Sequence, residues 1–106
     1  MLTEKELQER KERIRWGIIQ SAYHAHPSPV SDFLIQSAVK TVVPDVASKE
    51  ILEEANYLQG TCCAIISLRH LHESNGFSAR ITKYGIDIVQ RAVRAPDGIG
   101  APGYEA

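Results

Sequence analysis

The hydrophobic rhythm of the chain changes within residues 77–93, FSARITKYGIDIVQRAV. Phe77, Ala79 and Ile81 alternate with Ser78 and Arg80, the period of a half-buried strand. From Thr82 onward the apolar residues recur by threes and fours, the period of a helix. Thr82 is the expected N-cap, with Ile86, Val89 and Val93 along one side of a final helix.

Upstream, residues 3–24 read as a long helix. Thr3 and Glu6 have capping-box spacing, and Leu7, Ile14, Ile18 and Ala22 form one apolar stripe interrupted by Lys11. Glu6/Arg10 and Glu9/Arg13 are supporting i,i+4 pairs, and Pro27 and Pro29 stop the helix. Ser31 predicts the start of a second helix over 32–41, with Phe33 or Leu34, Ala38 and Val39 inward and Pro44 beyond its end. Ser48 predicts the start of a third helix, 49–59, with Ile51, Leu52, Ala55 and Leu58 on its apolar face and Gly60 as its C-terminal cap. CCAIISL, residues 62–68, reads as a strand, and Asn75-Gly76 as the turn into the next. Leu58, Ile65, Ile81 and Ile86 are expected core residues. The segment 95–106, with two prolines and three glycines, is expected to bury little and to form a tail behind a domain spanning 1–94.

The expected fold class is therefore mainly α with a small β-hairpin (α+β). At 106 residues the chain suits one modest core. Its net charge of -1 provides no global attraction to nucleic acid, membrane or acidic substrates, so electrostatic recognition must be local. No apolar run approaches the ~20 residues that span a bilayer, and the charged N-terminal helix is unlike a signal peptide. The adjacent Cys62 and Cys63 point to opposite faces of a strand, which disfavours a disulfide between them and suits reduced thiols in a cytoplasmic protein.

Three helices closed by a hairpin, with particular local motifs, resemble the winged-helix (winged helix-turn-helix) family. The motifs are Tyr57-Leu58 and Gly60 ahead of the strand Cys62 to Leu68, and Ile81-Thr82-Lys83-Tyr84-Gly85 at the strand-to-helix switch. Gly85-Ile86-Asp87 followed by Pro96-Asp97-Gly98-Ile99-Gly100 is similar to small winged-helix proteins of Mu-like phages and prophages. The resemblance implies a three-helix core, a wing and a C-terminal helix. It also implies DNA binding, with the third helix in the major groove and the wing on the backbone. Carried over by position, the DNA-binding residues would be Lys40, Lys49, Asn56, Tyr57, Arg69, Arg80 and Lys83, with Arg13 and Arg15 as further basic support. Glu50, Glu53 and Glu54 depart from that pattern, because three outward carboxylates on the third helix oppose phosphate.

The leading expectation is a non-enzymatic DNA-binding or DNA-associated protein, a phage regulator or accessory factor. The alternative is a winged-helix adaptor that binds protein through its acidic third helix and Pro/Gly tail. Association as a homodimer through helices one and four is expected from a last helix apolar on two sides, Ile86/Val89/Val93 and Ile88/Ala92. The competing expectation is that Ile99 and Tyr104 fold back over the second side.

Two His-x-His pairs, His24/His26 and His70/His72, raise a metal-responsive reading, but they read more simply as surface histidines, and no metal or cofactor is expected. No Gly-rich phosphate loop or distinctive catalytic set is present; Asp32, Asp45 and Asp87 suit helix ends. Trp16 is expected in the core or half-core, and ERKERIR, residues 9–15, as a solvated face with a slight basic bias.

Overall fold

The computed structural model describes residues 2–60, 64–70 and 76–100. Helix α1, Glu4–Ala25, begins where expected: the Thr3 hydroxyl accepts from the Glu6 N–H at 3.2 Å, and the Glu6 carboxylate accepts from the Thr3 N–H at 3.3 Å. Ile14, Ile18, Ile19 and Ala22 are buried, and α1 packs against α2 (Asp32–Val39), α3 (Ser48–Gln59), α4 (Lys83–Val89) and the sheet. Leu7 is exposed with the rest of residues 2–9, because the first turns of α1 precede the region where the core covers it.

Helix α2 is capped by Ser31, whose hydroxyl accepts from the Leu34 N–H. Its inward residues are Ile35 and Val39, whereas Phe33, Leu34 and Ala38 are exposed. The expectation holds at Val39 and fails at Phe33, Leu34 and Ala38, for a tertiary reason. Strand β1, Val30–Ser31, runs directly into α2, and the inward position of Val30 fixes the rotation of the first turn. Helix α3 starts one residue earlier than its sequence signal. Ala47, not Ser48, is the N-cap; it has no side-chain acceptor, and its N–H donates instead to Glu50 Oε1 at 3.1 Å. Ile51, Ala55 and Leu58 are buried as expected, and Leu52 is half-buried.

The sheet has three antiparallel strands in the order β1-β3-β2, with β2 at Ile66–His70 and β3 at Phe77–Ile81. The expected hairpin is present, in the register Ile66 to Ile81 and His70 to Phe77. Its second strand alternates as predicted, with Phe77, Ala79 and Ile81 buried. The strand expected from residue 62 begins at Ile66; Cys62, Cys63 and the turn residue Asn75 lie outside the described residues.

At the switch from strand to helix, Thr82 accepts from the Gly85 N–H at 3.1 Å and donates to the Ala64 carbonyl at 2.7 Å. One hydroxyl thus starts α4 and ties it to the chain entering β2. Gly85 is required by a close approach, since a Cβ there would lie 2.5 Å from the Ile65 carbonyl oxygen and 2.6 Å from Ile81 Cγ1. Helix α4 ends in a Schellman arrangement: Ala92 N–H donates to the Asp87 carbonyl and Arg91 N–H to the Ile88 carbonyl, with Arg91 at φ 61°. The helix therefore stops short of Val93; Ile88 is fully buried, and Ile86, an expected core residue, is half-buried against the core.

The segment after α4 does more than the composition predicts. Ile99 is 1% exposed, and Gly98 and Gly100 adopt positive φ where the chain folds back onto α1. Tyr104 lies outside the described residues. The described residues thus form an α+β fold, four helices with a small three-stranded sheet, and among them no helix is long and apolar enough to cross a membrane.

Candidate nucleic-acid interface

The sequence places Glu50, Glu53 and Glu54 on the outside of α3, but the fold removes two of them. Arg10 Nε and Nη2 donate to the two Glu50 carboxylate oxygens at 2.9 and 2.8 Å, and its Nη1 reaches Asp45 Oδ1 at 2.9 Å. One guanidinium therefore neutralises the start of α3 through a two-pronged contact. These hydrogen bonds hold the Asp45 and Glu50 carboxyls below their ordinary range, against the opposing desolvation.

The second pair is deeper. Arg15 Nε donates to Glu54 Oε1 at 2.8 Å, and each side chain retains only 9% exposure. Arg15 Nη1 also donates to the Gly98 carbonyl at 2.9 Å, and its guanidinium lies 3.7 Å from the centre of the Tyr57 ring. Tyr57 was an expected DNA contact. Its ring, still 42% exposed, lies against the Arg15 guanidinium, a cation–π arrangement that joins α1, α3 and the C-terminal segment. The expected outward placement of Glu54 is therefore corrected, as is the expectation of Arg15 as a free basic group.

Among the exposed residues of α3, Lys49, Glu53 and Asn56 form one stripe at i, i+4 and i+7, beside Ser48, Tyr57 and Gln59. None of these three side chains forms a hydrogen bond or ion pair with the described residues. Near the start of the stripe, Ser48, Lys49, Ile51 and Leu52 join Asp32, Gln36 and Phe77 around an apolar depression.

The outer face of the sheet has the opposite composition. Ser67 faces Arg80 and Arg69 faces Ser78 in the β2–β3 register, and Ser31 faces Ser78 from β1. Side chains alternate across a sheet, so both arginines and all three serines share the face opposite the core. Arg69 and Arg80 are exposed and have no ion-pair partner among the described residues; with Pro29, Ser67 and Ser78 they line one shallow depression. Exposed guanidinium groups beside small hydroxyl donors are suited to phosphate oxygens.

The remaining expected contacts are more scattered. Lys40 is exposed at the C-terminal cap of α2, and Lys83 is exposed but lies 3.4 Å from Asp87 within α4. Among the described residues no group of three or more His, Cys, Asp or Glu side chains is arranged to hold a metal; His72, Cys62 and Cys63 lie outside them. Sequence reasoning missed the α1–α3 pairing, although a signal was present. Arg15 falls on the buried side of α1 beside Ile14 and Ile18, and Glu50 and Glu54 form an i,i+4 edge of α3. Comparison with known proteins returns no matching family model, and no curated protein or solved structure matches at a significant level.

Proposed function

We propose that the chain is a small winged-helix protein of the cytoplasm that binds duplex DNA without catalysing a reaction, as a regulator or accessory factor. The element order α1-β1-α2-α3-β2-β3-α4 supports the winged-helix reading, with the β2–β3 hairpin as the wing and α3 as the reading helix. The observation that carries the DNA reading is the pair Arg69 and Arg80, without an ion-pair partner among the described residues, on a sheet face that also presents Ser67 and Ser78. The acidity of α3, the main objection, is reduced because Arg10 and Arg15 take up Glu50 and Glu54. The similarity of Gly85-Ile86-Asp87 and Pro96 to Gly100 to phage proteins extends the proposal to a phage or prophage origin.

The adaptor reading is favoured by a different feature. Phe33 and Leu34 are 71% and 57% exposed at the start of α2, an apolar pair suited to a protein partner. Salt-titrated binding to mixed-sequence duplexes separates the two. Arg80→Ala is expected to weaken binding on every sequence and to reduce the slope of log affinity against log salt by about one unit. An unchanged affinity and slope would remove the sheet from the interface and leave the adaptor reading.

A further inference from the structure

We infer that Glu53 determines specificity on α3, admitting a base amino group, cytosine N4 before adenine N6 with its neighbouring N7 acceptor, and rejecting the acceptor edges of guanine and thymine and misplaced phosphates. This rests on the DNA-binding reading and adds to it a rule for sequence choice. With Glu50 held by Arg10 and Glu54 by Arg15, Glu53 is the one α3 carboxylate with no cation against it among the described residues. It sits midway along the exposed stripe, four residues after Lys49 and three before Asn56. Neither neighbour is bonded to it: Asn56 is uncharged, and the Lys49 ammonium, one turn earlier, forms no ion pair with it.

An ionised carboxylate only accepts hydrogen bonds. In the major groove the cytosine N4 amino group is a donor suited to it, whereas the guanine edge presents the acceptors O6 and N7. Lys49 and Asn56 have the complementary preferences, a lysine for guanine O6/N7 and an asparagine for adenine N6/N7. The stripe thus reads as cation, anion and amide along one helix face. Its middle member acts by exclusion: beside anything other than an amino group it is a desolvated negative charge near phosphates. Such a residue lowers affinity for DNA in general while raising the ratio of specific to non-specific binding.

The test is selection of duplexes from a randomised pool by the full chain, followed by affinity measurements for wild type, Glu53→Gln and Glu53→Ala on the selected duplex and on a mixed-sequence duplex. Both variants change one exposed helix side chain, and circular dichroism confirms their fold. Wild type is expected to select a fixed cytosine. Glu53→Ala is expected to make that one position degenerate, to bind mixed duplex more tightly, and to reduce discrimination there by roughly fivefold to a hundredfold. Glu53→Gln, which can also donate, is expected to exchange the cytosine preference for a weaker adenine preference. If the variants bind like wild type and select the same cytosine, the inference fails while DNA binding stands. Wild-type binding without base preference at this position also overturns it. If no duplex is bound by any of the three, the DNA reading fails together with the inference.

Discussion

Arg10 and Arg15 on α1 and Arg69 and Arg80 on the sheet are the same side chain in opposite circumstances. The first two end on carboxylates of this chain at 2.8–2.9 Å; the second two end at solvent beside serines. A net charge of -1 combines these situations and conceals the difference. The α1 arginines are structural because α3 presents Glu50 and Glu54 to them one turn apart. The sheet arginines remain available because their cross-strand partners are Ser67 and Ser78 rather than acids. What matters for recognition is therefore which cations are unpaired, not how many the chain has.

The comparison is broken most severely at Arg15. Arg15→Leu leaves the buried Glu54 carboxylate without its cation and is expected to cost about 3–5 kcal/mol in denaturant unfolding. Arg15→Leu combined with Glu54→Leu should restore much of that loss, because an uncompensated charge, rather than the absence of a bridge, is the main penalty. Arg69→Ala, by contrast, should change stability by no more than about 0.5 kcal/mol, as exposed substitutions do. Equal effects at Arg15 and Arg69 would erase the distinction.

A second substitution probes the joint that carries the sheet. Gly85→Ala would push a methyl against the Ile65 carbonyl, which is backbone and cannot rotate away, so a loss of about 1–3 kcal/mol is expected in thermal unfolding. A neutral Gly85→Ala would mean that α4 does not approach the sheet this closely.

The smallest effect sharpens the comparison through pH. Arg10 lowers the native carboxyl pKa values of Glu50 and Asp45, so both groups favour folding when ionised. Their contribution is present above the ordinary carboxylate range, near pH 4, and is lost as pH falls through the depressed native values. The stability gap between wild type and Arg10→Gln should therefore narrow steadily from about pH 5 toward pH 2. A gap independent of pH would show that Arg10 acts by packing alone.

Much of the fold was legible because local signals and tertiary structure agree. Thr3 with Glu6, Ser31 and Thr82 cap the helices they were expected to cap, and the alternation at Phe77, Ala79 and Ile81 matches the buried face of β3. The errors arose where a long-range partner decided the outcome. Strand β1 is two residues long, too short to show a period, and its pairing with β3 rotates α2 so that Ile35 rather than Phe33 or Leu34 turns inward. Glycine and proline marked 95–106 as a tail; the burial of Ile99 was only the competing expectation, and nothing local showed that Arg15 meets the Gly98 carbonyl. At the site, the sequence identified Arg69, Arg80, Lys49 and Asn56 as exposed polar positions. It did not show that two of the three glutamates were taken up, because that depends on α1 lying alongside α3.

The most direct test of the contrast between paired and unpaired arginines is the salt dependence of duplex binding for wild type, Arg69→Ala/Arg80→Ala and Arg10→Gln. Each phosphate contact removed lowers the slope by about 0.9, so the sheet double variant should lose close to two units while Arg10→Gln leaves the slope unchanged. A full slope in the double variant, or a loss confined to Arg10→Gln, would contradict the assignment of Arg69 and Arg80 as the phosphate-binding pair.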